Sequence, residues 1–208
     1  MMIRIIENRQ IYLITNRKSV EDYEEFLKKI DQCTSCGVEK VILREKDLQE
    51  DELLELAVKV KEITDKNNGY LIINSNIKVA KKIKAYGVHL PFRMFRETPK
   101  EELEDFPDIG VSAHTLDEAI YADRNGASYV IISHIFSTDC KKGLEPKGTA
   151  FIKDVKESVK CRVVSLGGIL PSNIEEVMDA GSDCAAVMST LMKSENIHLT
   201  LERYGAGK

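Results

Sequence analysis

Residues 129–148 read Tyr-Val-Ile-Ile-Ser-His-Ile-Phe-Ser-Thr-Asp-Cys-Lys-Lys-Gly-Leu-Glu-Pro-Lys-Gly. The apolar, β-branched start of this stretch predicts a buried strand, and the polar remainder predicts a long loop. The loop carries groups suited to acid–base chemistry and anion binding: His134, Ser137, Thr138, Lys141 and Lys142. A buried strand that ends in such a loop is typical of α/β proteins, which keep their chemistry at the carboxyl ends of strands.

Seven further apolar runs resemble this strand, and helical patterns separate them. The eight predicted strands are 11–15, 40–44, 70–73, 87–90, 109–113, 129–132, 162–166 and 184–188. Examples of the predicted helices are 19–30, 51–66, 116–125 and 173–180. Alternation of this kind implies parallel strands, and their continuous apolar runs imply that both faces are covered. We therefore predict an α/β fold, a compact (β/α)8 TIM barrel, as a single domain over residues 1–208.

An open, doubly wound sheet is the alternative, but no G-x-G-x-x-G follows the first strand. Asp51 and Ser172 are the expected helix N-caps, and Gly126 and Gly181 stand where helices should end. The connection 91–107 is less regular and is expected to hold only a short helix.

The composition narrows the function. The chain has 208 residues, a net charge of −4 and no Trp, which gives no electrostatic or stacking basis for binding nucleic acid. No apolar run is long enough for a membrane helix, and the start of the chain does not resemble a signal peptide. We expect a cytoplasmic protein without nucleic-acid or membrane partners.

The five cysteines cannot all pair with one another. Cys33 and Cys36 have the spacing of a redox or half-zinc motif, but no second C-x-x-C is present. Incidental helix cysteines are the favoured interpretation, and metal or redox use is the alternative. The role of Cys140, in the loop after the sixth strand, is left open.

Polar groups cluster where the strands end. Gly167 and Gly168 follow the seventh strand, and Ser189 and Thr190 follow the eighth. Phosphate sites of many barrels are built there from backbone N–H groups and a helix N-terminus, so we predict a phosphate site. The competing interpretation is a tight turn and a helix cap.

Other strand ends supply cations and imidazoles. Arg44 and Lys46 are two residues apart, so both can face the barrel mouth. Among the histidines, His134 is the predicted catalytic group. His89 and His114 are interpreted as structural, with His114 a candidate helix cap, and His198 is predicted to lie on the surface of the last helix.

Several stretches together resemble the thiamine phosphate synthase superfamily, and within it the TenI-type thiazole tautomerases. They are Ile-Tyr-Leu-Ile-Thr at 11–15, Leu-Arg-Glu-Lys at 43–46, Asn74, Gly-Val-His-Leu-Pro at 87–91, Ser-Ala-His at 112–114, the loop 133–148, Gly-Gly-Ile at 167–169 and Ala-Val-Met-Ser at 186–189. The resemblance covers essentially the whole chain.

The resemblance implies a tautomerase, an isomerase of thiamine biosynthesis that aromatises a phosphorylated carboxy-dihydrothiazole. It implies that His134 relays the proton as base and then acid. It also implies a substrate site formed by Arg44, Lys46, Asn74, Ser112, Thr138, Lys141, Gly167, Gly168, Ser189 and Thr190. Neither a metal nor an organic cofactor is implied, and the partner is a small phosphorylated thiazole.

Two alternatives stay open. The first is thiamine phosphate synthase, which joins a pyrimidine pyrophosphate to a thiazole phosphate and uses Mg²⁺. That family places carboxylates after the third and fourth strands, where this chain has Asn74-Ser75 and residues 91–94, Pro-Phe-Arg-Met. The second is a non-catalytic regulator that binds a thiazole or thiamine phosphate. Barrels of this type often dimerise, and a homodimer is left open because no interface stripe is evident.

Overall fold

A computed structural model describes residues 9–138, 141 and 143–207. Eight parallel strands pair in chain order, and β1 also pairs with β8, so the sheet closes into a barrel. The strands are β1 Ile11–Ile14, β2 Lys40–Leu43, β3 Tyr70–Asn74, β4 Gly87–Pro91, β5 Asp108–Ala113, β6 Tyr129–Ser133, β7 Arg162–Leu166 and β8 Cys184–Val187. The predicted (β/α)8 TIM barrel is confirmed.

Helices follow the strands and pack around the outside of the barrel. They are α1 Tyr23–Ser35, α2 Glu50–Lys66, α3 Ile77–Lys82, α4 Phe92–Glu97, α5 Leu116–Arg124, α6 Gly148–Ser158, α7 Ile174–Asp179, α8 Ser189–Met192 and α9 Ile197–Arg203. The connection after β4 holds the short α4 and a single 3₁₀ turn, Lys100–Glu102, as its irregular sequence predicts.

The predicted helix starts are wrong in three places. Residues Arg17–Ser19 form a 3₁₀ turn, and α1 begins four residues later than predicted, at Tyr23, because the Asp22 carboxylate accepts from the Glu25 N–H at 2.8 Å. Asp51 lies inside α2, whose N-cap is Gln49. Ser172 is not the cap of α7, because Asn173 occupies that position.

Two apolar cores flank the sheet. The outer core lies between strands and helices and includes Phe26, Ile30, Val60, Val155 and Leu201. The inner core fills the barrel with side chains from alternate strand positions: Tyr12, Ile14, Ile42, Ile72, Tyr129, Ile131, Val164, Cys184 and Ala186. The barrel interior is therefore a packed core.

An ion-pair cluster closes the amino-terminal end of the barrel. Lys40 Nζ donates to Asp108 Oδ2 at 2.6 Å, and the two side chains are only 2% and 3% exposed. Arg162 donates to Asp108 Oδ1 at 3.0 Å and to the Tyr12 hydroxyl at 3.1 Å. Every charge in this cluster has a partner, so the amino-terminal end of the barrel has a structural role. A functional site is therefore expected at the carboxyl end.

Two further expectations concern the cysteines and the absence of a membrane helix. Cys33 lies inside α1 and Cys36 is its C-cap, and both are free thiols. Cys140 lies outside the described residues. Within 9–138, 141 and 143–207, no helix is long and apolar enough to cross a membrane.

Candidate active site

A cavity of about 910 Å³ opens at the carboxyl ends of the strands. Its floor is apolar, formed by inner-core side chains such as Ile42 and Ile131. All eleven predicted site residues line it: Arg44, Lys46, Asn74, Ser112, His134, Thr138, Lys141, Gly167, Gly168, Ser189 and Thr190. The structure thus brings together residues that lie up to 146 positions apart in the chain, from Arg44 to Thr190.

One corner of the cavity is formed by the ends of β7 and β8. Gly167 and Gly168 have φ angles of +100° and +68°, which L-residues with side chains rarely adopt. Asn173 fixes this turn, because its amide donates to the Gly168 carbonyl at 2.9 Å and accepts from the Leu170 N–H at 2.8 Å. We refer to Gly167, Gly168, Ser189 and Thr190 as the phosphate corner.

The phosphate corner packs directly against the loop after β6. A Cβ on Gly167 would lie 2.4 Å from the His134 Cβ, and a Cβ on Gly168 would lie 2.6 Å from the Ser137 carbonyl oxygen. The Phe136 N–H donates to the Gly167 carbonyl at 3.0 Å. The two glycines are therefore needed for close approach between the loops.

His134 is held between these loops. Its side chain is buried, with Nε2 at 3.4 Å from the Leu144 carbonyl, and its own carbonyl accepts from the Lys147 N–H at 2.9 Å. The imidazole lines the cavity, so it is placed to contact a bound molecule. Thr138 and Lys141 come from the same loop, where the Lys141 N–H donates to the Thr138 carbonyl at 3.0 Å.

Three cations line the cavity, and they have no acidic partners in the described part of the chain. They are Arg44, Lys46 and Lys141, which we call the cation wall. The described lining contains no Asp or Glu, although the chain has 34 acidic residues. The positive charge of Arg44, and then burial, lowers the pKa of Lys46. Cations that line one cavity without a carboxylate among the described lining residues favour an anionic ligand.

Glu45 stands between two of these cations in sequence but turns away from them. Its carboxylate accepts from the Thr15 hydroxyl at 2.7 Å and from the Arg17 N–H at 3.1 and 3.2 Å. The Thr15 hydroxyl in turn accepts from the Arg44 N–H at 3.0 Å. Burial raises the pKa of Glu45. These hydrogen bonds fix the backbone where β2 ends and keep the Glu45 carboxylate out of the cavity.

Sequence reasoning missed two histidines of the cavity. His89 is buried in β4 yet lines the wall, where its Nε2 lies 2.7 Å from Ser112 Oγ. His114 also lines the cavity and is exposed, and the cap of α5 is Thr115 instead. The adjacency of His89 to Ser112 is set by the β4–β5 register, which single-strand patterns do not show. His198 is exposed on α9, as predicted.

A divalent metal ion fits this cavity poorly. Mg²⁺ prefers hard oxygen ligands, above all carboxylates. The ends of β3 and β4 present Asn74, Ser75 and Pro91 at the cavity, and residues 9–138, 141 and 143–207 contain no cluster of three His, Cys, Asp or Glu that could hold a metal. The positive charge of the cation wall would also repel a metal ion.

Known proteins resemble this chain over most of its length. It is 36% identical to the thiamine-phosphate synthase of Clostridium acetobutylicum, covering 90% of this chain and 89% of the relative. It is also 36% identical to that of Methanobrevibacter smithii, covering 92% and 91%. The solved thiamine phosphate pyrophosphorylase from Pyrococcus furiosus superposes with a TM-score of 0.81 at 26% identity, covering 97% and 96%.

These names correct the expected function. The relatives are called synthases and a pyrophosphorylase, so the expectation of a thiazole tautomerase is wrong, and an isomerase finds no support in them. The missing carboxylates after β3 and β4 and the loop 133–148 favour a tautomerase, whereas the similarity over most of the chain is to synthases. The synthase alternative is the better supported of the two.

The family model described as thiamine monophosphate synthase matches residues 11–191, a span that runs from β1 into α8 and includes every predicted site residue. The barrel, the phosphate corner and the cation wall all lie within that span. The chain belongs to the thiamine monophosphate synthase family.

Proposed function

We propose that this protein is a thiamine-phosphate synthase, which joins a pyrimidine pyrophosphate to a thiazole phosphate and releases inorganic pyrophosphate. The observation that carries the proposal is the pairing of two anion-binding regions in one cavity. The phosphate corner lies at β7 and β8, and two residues of the cation wall follow β2. Only β1 separates β8 from β2 around the barrel, so two anionic substrates can lie side by side.

The phosphate corner suits the thiazole phosphate. Backbone N–H groups freed by the left-handed glycines Gly167 and Gly168, together with the hydroxyls of Ser189 and Thr190, supply neutral donors to a phosphate. Neutral donors orient a phosphate without requiring a counter-ion. This arrangement leaves the side-chain cations for the second substrate.

The cation wall suits the pyrophosphate. In the coupling, the thiazole nitrogen gives its electron pair to the carbon that bears the pyrophosphate, and the carbon–oxygen bond breaks with its electron pair on the leaving group. Negative charge therefore grows on pyrophosphate in the transition state, where Arg44, Lys46 and Lys141 can stabilise it. Arginine adds a planar fork that binds two phosphoryl oxygens at once.

The coupling needs no proton transfer, so the proton relay expected of His134 has no part in it. We assign His134 an orienting role instead. This buried residue packs against Gly167 of the phosphate corner and lines the cavity, whose apolar lining includes Ile131 and Leu166. A ring and an apolar floor together can hold a flat heterocycle in line with its partner.

A non-catalytic binder of the same ligands is the second candidate. The observation that favours it is the lack of carboxylates among the described residues of the lining, because family members are expected to bring Mg²⁺ to their pyrophosphate. Such a protein would retain the phosphate corner and bind thiazole phosphate or thiamine phosphate without forming product.

The deciding experiment is an assay for thiamine phosphate formed from the two substrates, with Mg²⁺ in excess and, separately, with a chelator. We expect product from the wild type and at least a 100-fold loss with Arg44→Met. Lys61→Met is the matched control, since Lys61 pairs with Asp65 on the surface of α2 and lies outside the cavity. No product from wild type in either condition, with thiazole phosphate still bound, would establish the binder.

A further inference from the structure

A buried pair, His89 and Ser112, connects the barrel interior to the cavity wall. His89 lies in β4 and is 4% exposed, and Ser112 lies in the neighbouring strand β5 and lines the cavity. The imidazole Nε2 is 2.7 Å from Ser112 Oγ, a short hydrogen bond between neutral groups. Either atom can be the donor, and which of them donates decides what Ser112 offers to a ligand.

The other ring nitrogen of His89 lacks a partner among the described residues. Nδ1 is fully buried without a hydrogen bond, and so is the hydroxyl of Tyr129, on whose ring the imidazole stacks with centroids 5.6 Å apart. Gly110 leaves the space that the two rings fill, because a Cβ there would lie 2.1 Å from Tyr129 Cζ and 2.5 Å from His89 Nδ1. The packing on this side is tight.

The groups around His89 oppose a positive charge on it. Burial, and then the charge of Arg44, lowers the pKa of His89 to about 3, and Tyr129, the ionisable group against its ring, is held neutral because burial raises its pKa. A neutral imidazole carries one N–H and one lone pair. If Nδ1 carried the proton, a buried N–H would be left without an acceptor. If Nε2 carries it, only a lone pair is left unused, which proteins tolerate more readily.

We propose that His89 is held as the Nε2–H tautomer, donates to Ser112 Oγ, and thereby turns the Ser112 O–H into the cavity as a donor. Ser112 then donates to a ligand atom with an available lone pair, a phosphoryl oxygen or a heteroaromatic ring nitrogen. His89 is a positioning residue, because it acts through Ser112. The ligand class rests on the proposed function, whereas the tautomer does not.

The tautomer is tested in the ligand-free protein by long-range ¹H–¹⁵N NMR of the imidazoles from pH 5 to 8. The chain has four histidines, so variants at His114, His134 and His198 assign the remaining signals to His89 without altering it. We expect one protonated nitrogen, Nε2, at every pH. A protonated Nδ1, or titration of both nitrogens within this range, would overturn the proposal.

The donor role of Ser112 is tested by calorimetric titration with inorganic pyrophosphate, which offers phosphoryl oxygens alone, and with thiazole phosphate, which offers a heteroaromatic ring nitrogen as well. We expect Ser112→Ala and His89→Leu each to weaken the binding of one of them about 3- to 10-fold, the range of one neutral hydrogen bond. The double variant should bind no more weakly than Ser112→Ala alone, because His89 acts through Ser112.

Additive losses in the double variant, or unchanged binding of both probes by Ser112→Ala, would contradict the positioning role. Because the NMR experiment needs neither ligand nor turnover, it also decides the tautomer if His89→Leu fails to fold. A protein with the Nε2–H tautomer but no thiamine phosphate formation would leave this inference standing and end the proposed function alone.

Discussion

The hydroxyl of Thr15 donates to Glu45 at 2.7 Å while accepting from the backbone N–H of Arg44 at 3.0 Å. Thr15, which follows β1, thus holds the Glu45 carboxylate away from the cavity. It also fixes the backbone of Arg44, a residue of the cation wall. Thr15→Val should remove both hydrogen bonds, leaving a buried carboxylate less well satisfied. We expect about 1–3 kcal/mol lower unfolding free energy and weaker pyrophosphate binding, since Glu45 is freed to pair with a neighbouring cation.

Thr15→Ser is the matched control for this prediction, because it keeps the hydroxyl and removes only a methyl group. Denaturant unfolding and calorimetric titration of inorganic pyrophosphate measure the two effects. Equal affinities in Thr15→Val and Thr15→Ser would show that the network does not control the charge of the cavity.

Pyrophosphate binding should depend on side-chain cations and not on a metal. We expect the affinity for inorganic pyrophosphate in the presence of a chelator to stay within about 3-fold of its value with Mg²⁺ added, a change of less than 1 kcal/mol. Arg44→Met should weaken it by about 10- to 100-fold, the range of one charge-assisted contact. Tight binding that appears only when Mg²⁺ is added would mean that a metal site forms despite the carboxylate-free lining described above.

The role of close packing at the phosphate corner is tested by comparing Gly168 with Gly126. Both have a left-handed backbone conformation, but their surroundings differ. Gly168 and Gly126 have φ angles of +68° and +95°, yet a Cβ on Gly168 would lie 2.6 Å from the Ser137 carbonyl oxygen, whereas nothing lies within 4 Å of one on Gly126. Both alanine variants should lose about 1 kcal/mol from the left-handed backbone, and Gly168→Ala should lose more through the clash.

Only Gly168→Ala should also weaken thiazole phosphate binding, because its loop must move to admit the methyl group. Thermal unfolding and calorimetric titration of both variants provide the comparison. If Gly168→Ala and Gly126→Ala lose equal stability and both bind thiazole phosphate as the wild type does, close packing between the loops does not shape the phosphate corner.

The stability of the protein should be sensitive to the loss of one charge in the ion-pair cluster at the amino-terminal end of the barrel. Asp108→Asn leaves Lys40 buried without its carboxylate, and we expect a loss of about 3–5 kcal/mol in unfolding free energy. Lys82→Met breaks the surface pair with Glu50, both partners of which are partly exposed, and should cost less than about 1 kcal/mol. Denaturant unfolding of the two variants measures the contrast, and a loss below 1 kcal/mol for Asp108→Asn would show that the buried pair contributes little.

The sequence predicts the barrel well because each strand and helix carries its own local signal. Alternating apolar runs place all eight strands to within a residue at either end. The eleven site residues, predicted from strand ends, from the loop after β6 and from the family resemblance, line one cavity. Local patterns do not predict features that depend on contacts with other residues or strands. The start of α1 follows from the Asp22 cap, and the partnership of His89 with Ser112 follows from register across two strands. The function likewise depends on more than local residues: the absent carboxylates after β3 and β4 disfavour a synthase, whereas the similarity over most of the chain is to synthases.

Burial of His89 should make the protein less stable in mild acid. Its pKa is about 3 in the folded protein and 6.5 when exposed, so between these values the unfolded chain binds more protons. Stability from this group is therefore complete above pH 6.5 and is lost as pH falls, by about 1.4 kcal/mol for each pH unit within the window. His89→Gln, which does not titrate, should flatten the pH dependence of unfolding free energy between pH 6.5 and 4.5. His198→Gln, at an exposed position of α9, is the control for the substitution itself. Parallel stability curves for wild type and His89→Gln would mean that His89 becomes protonated in the folded protein, and would contradict the neutral imidazole on which the Ser112 donor depends.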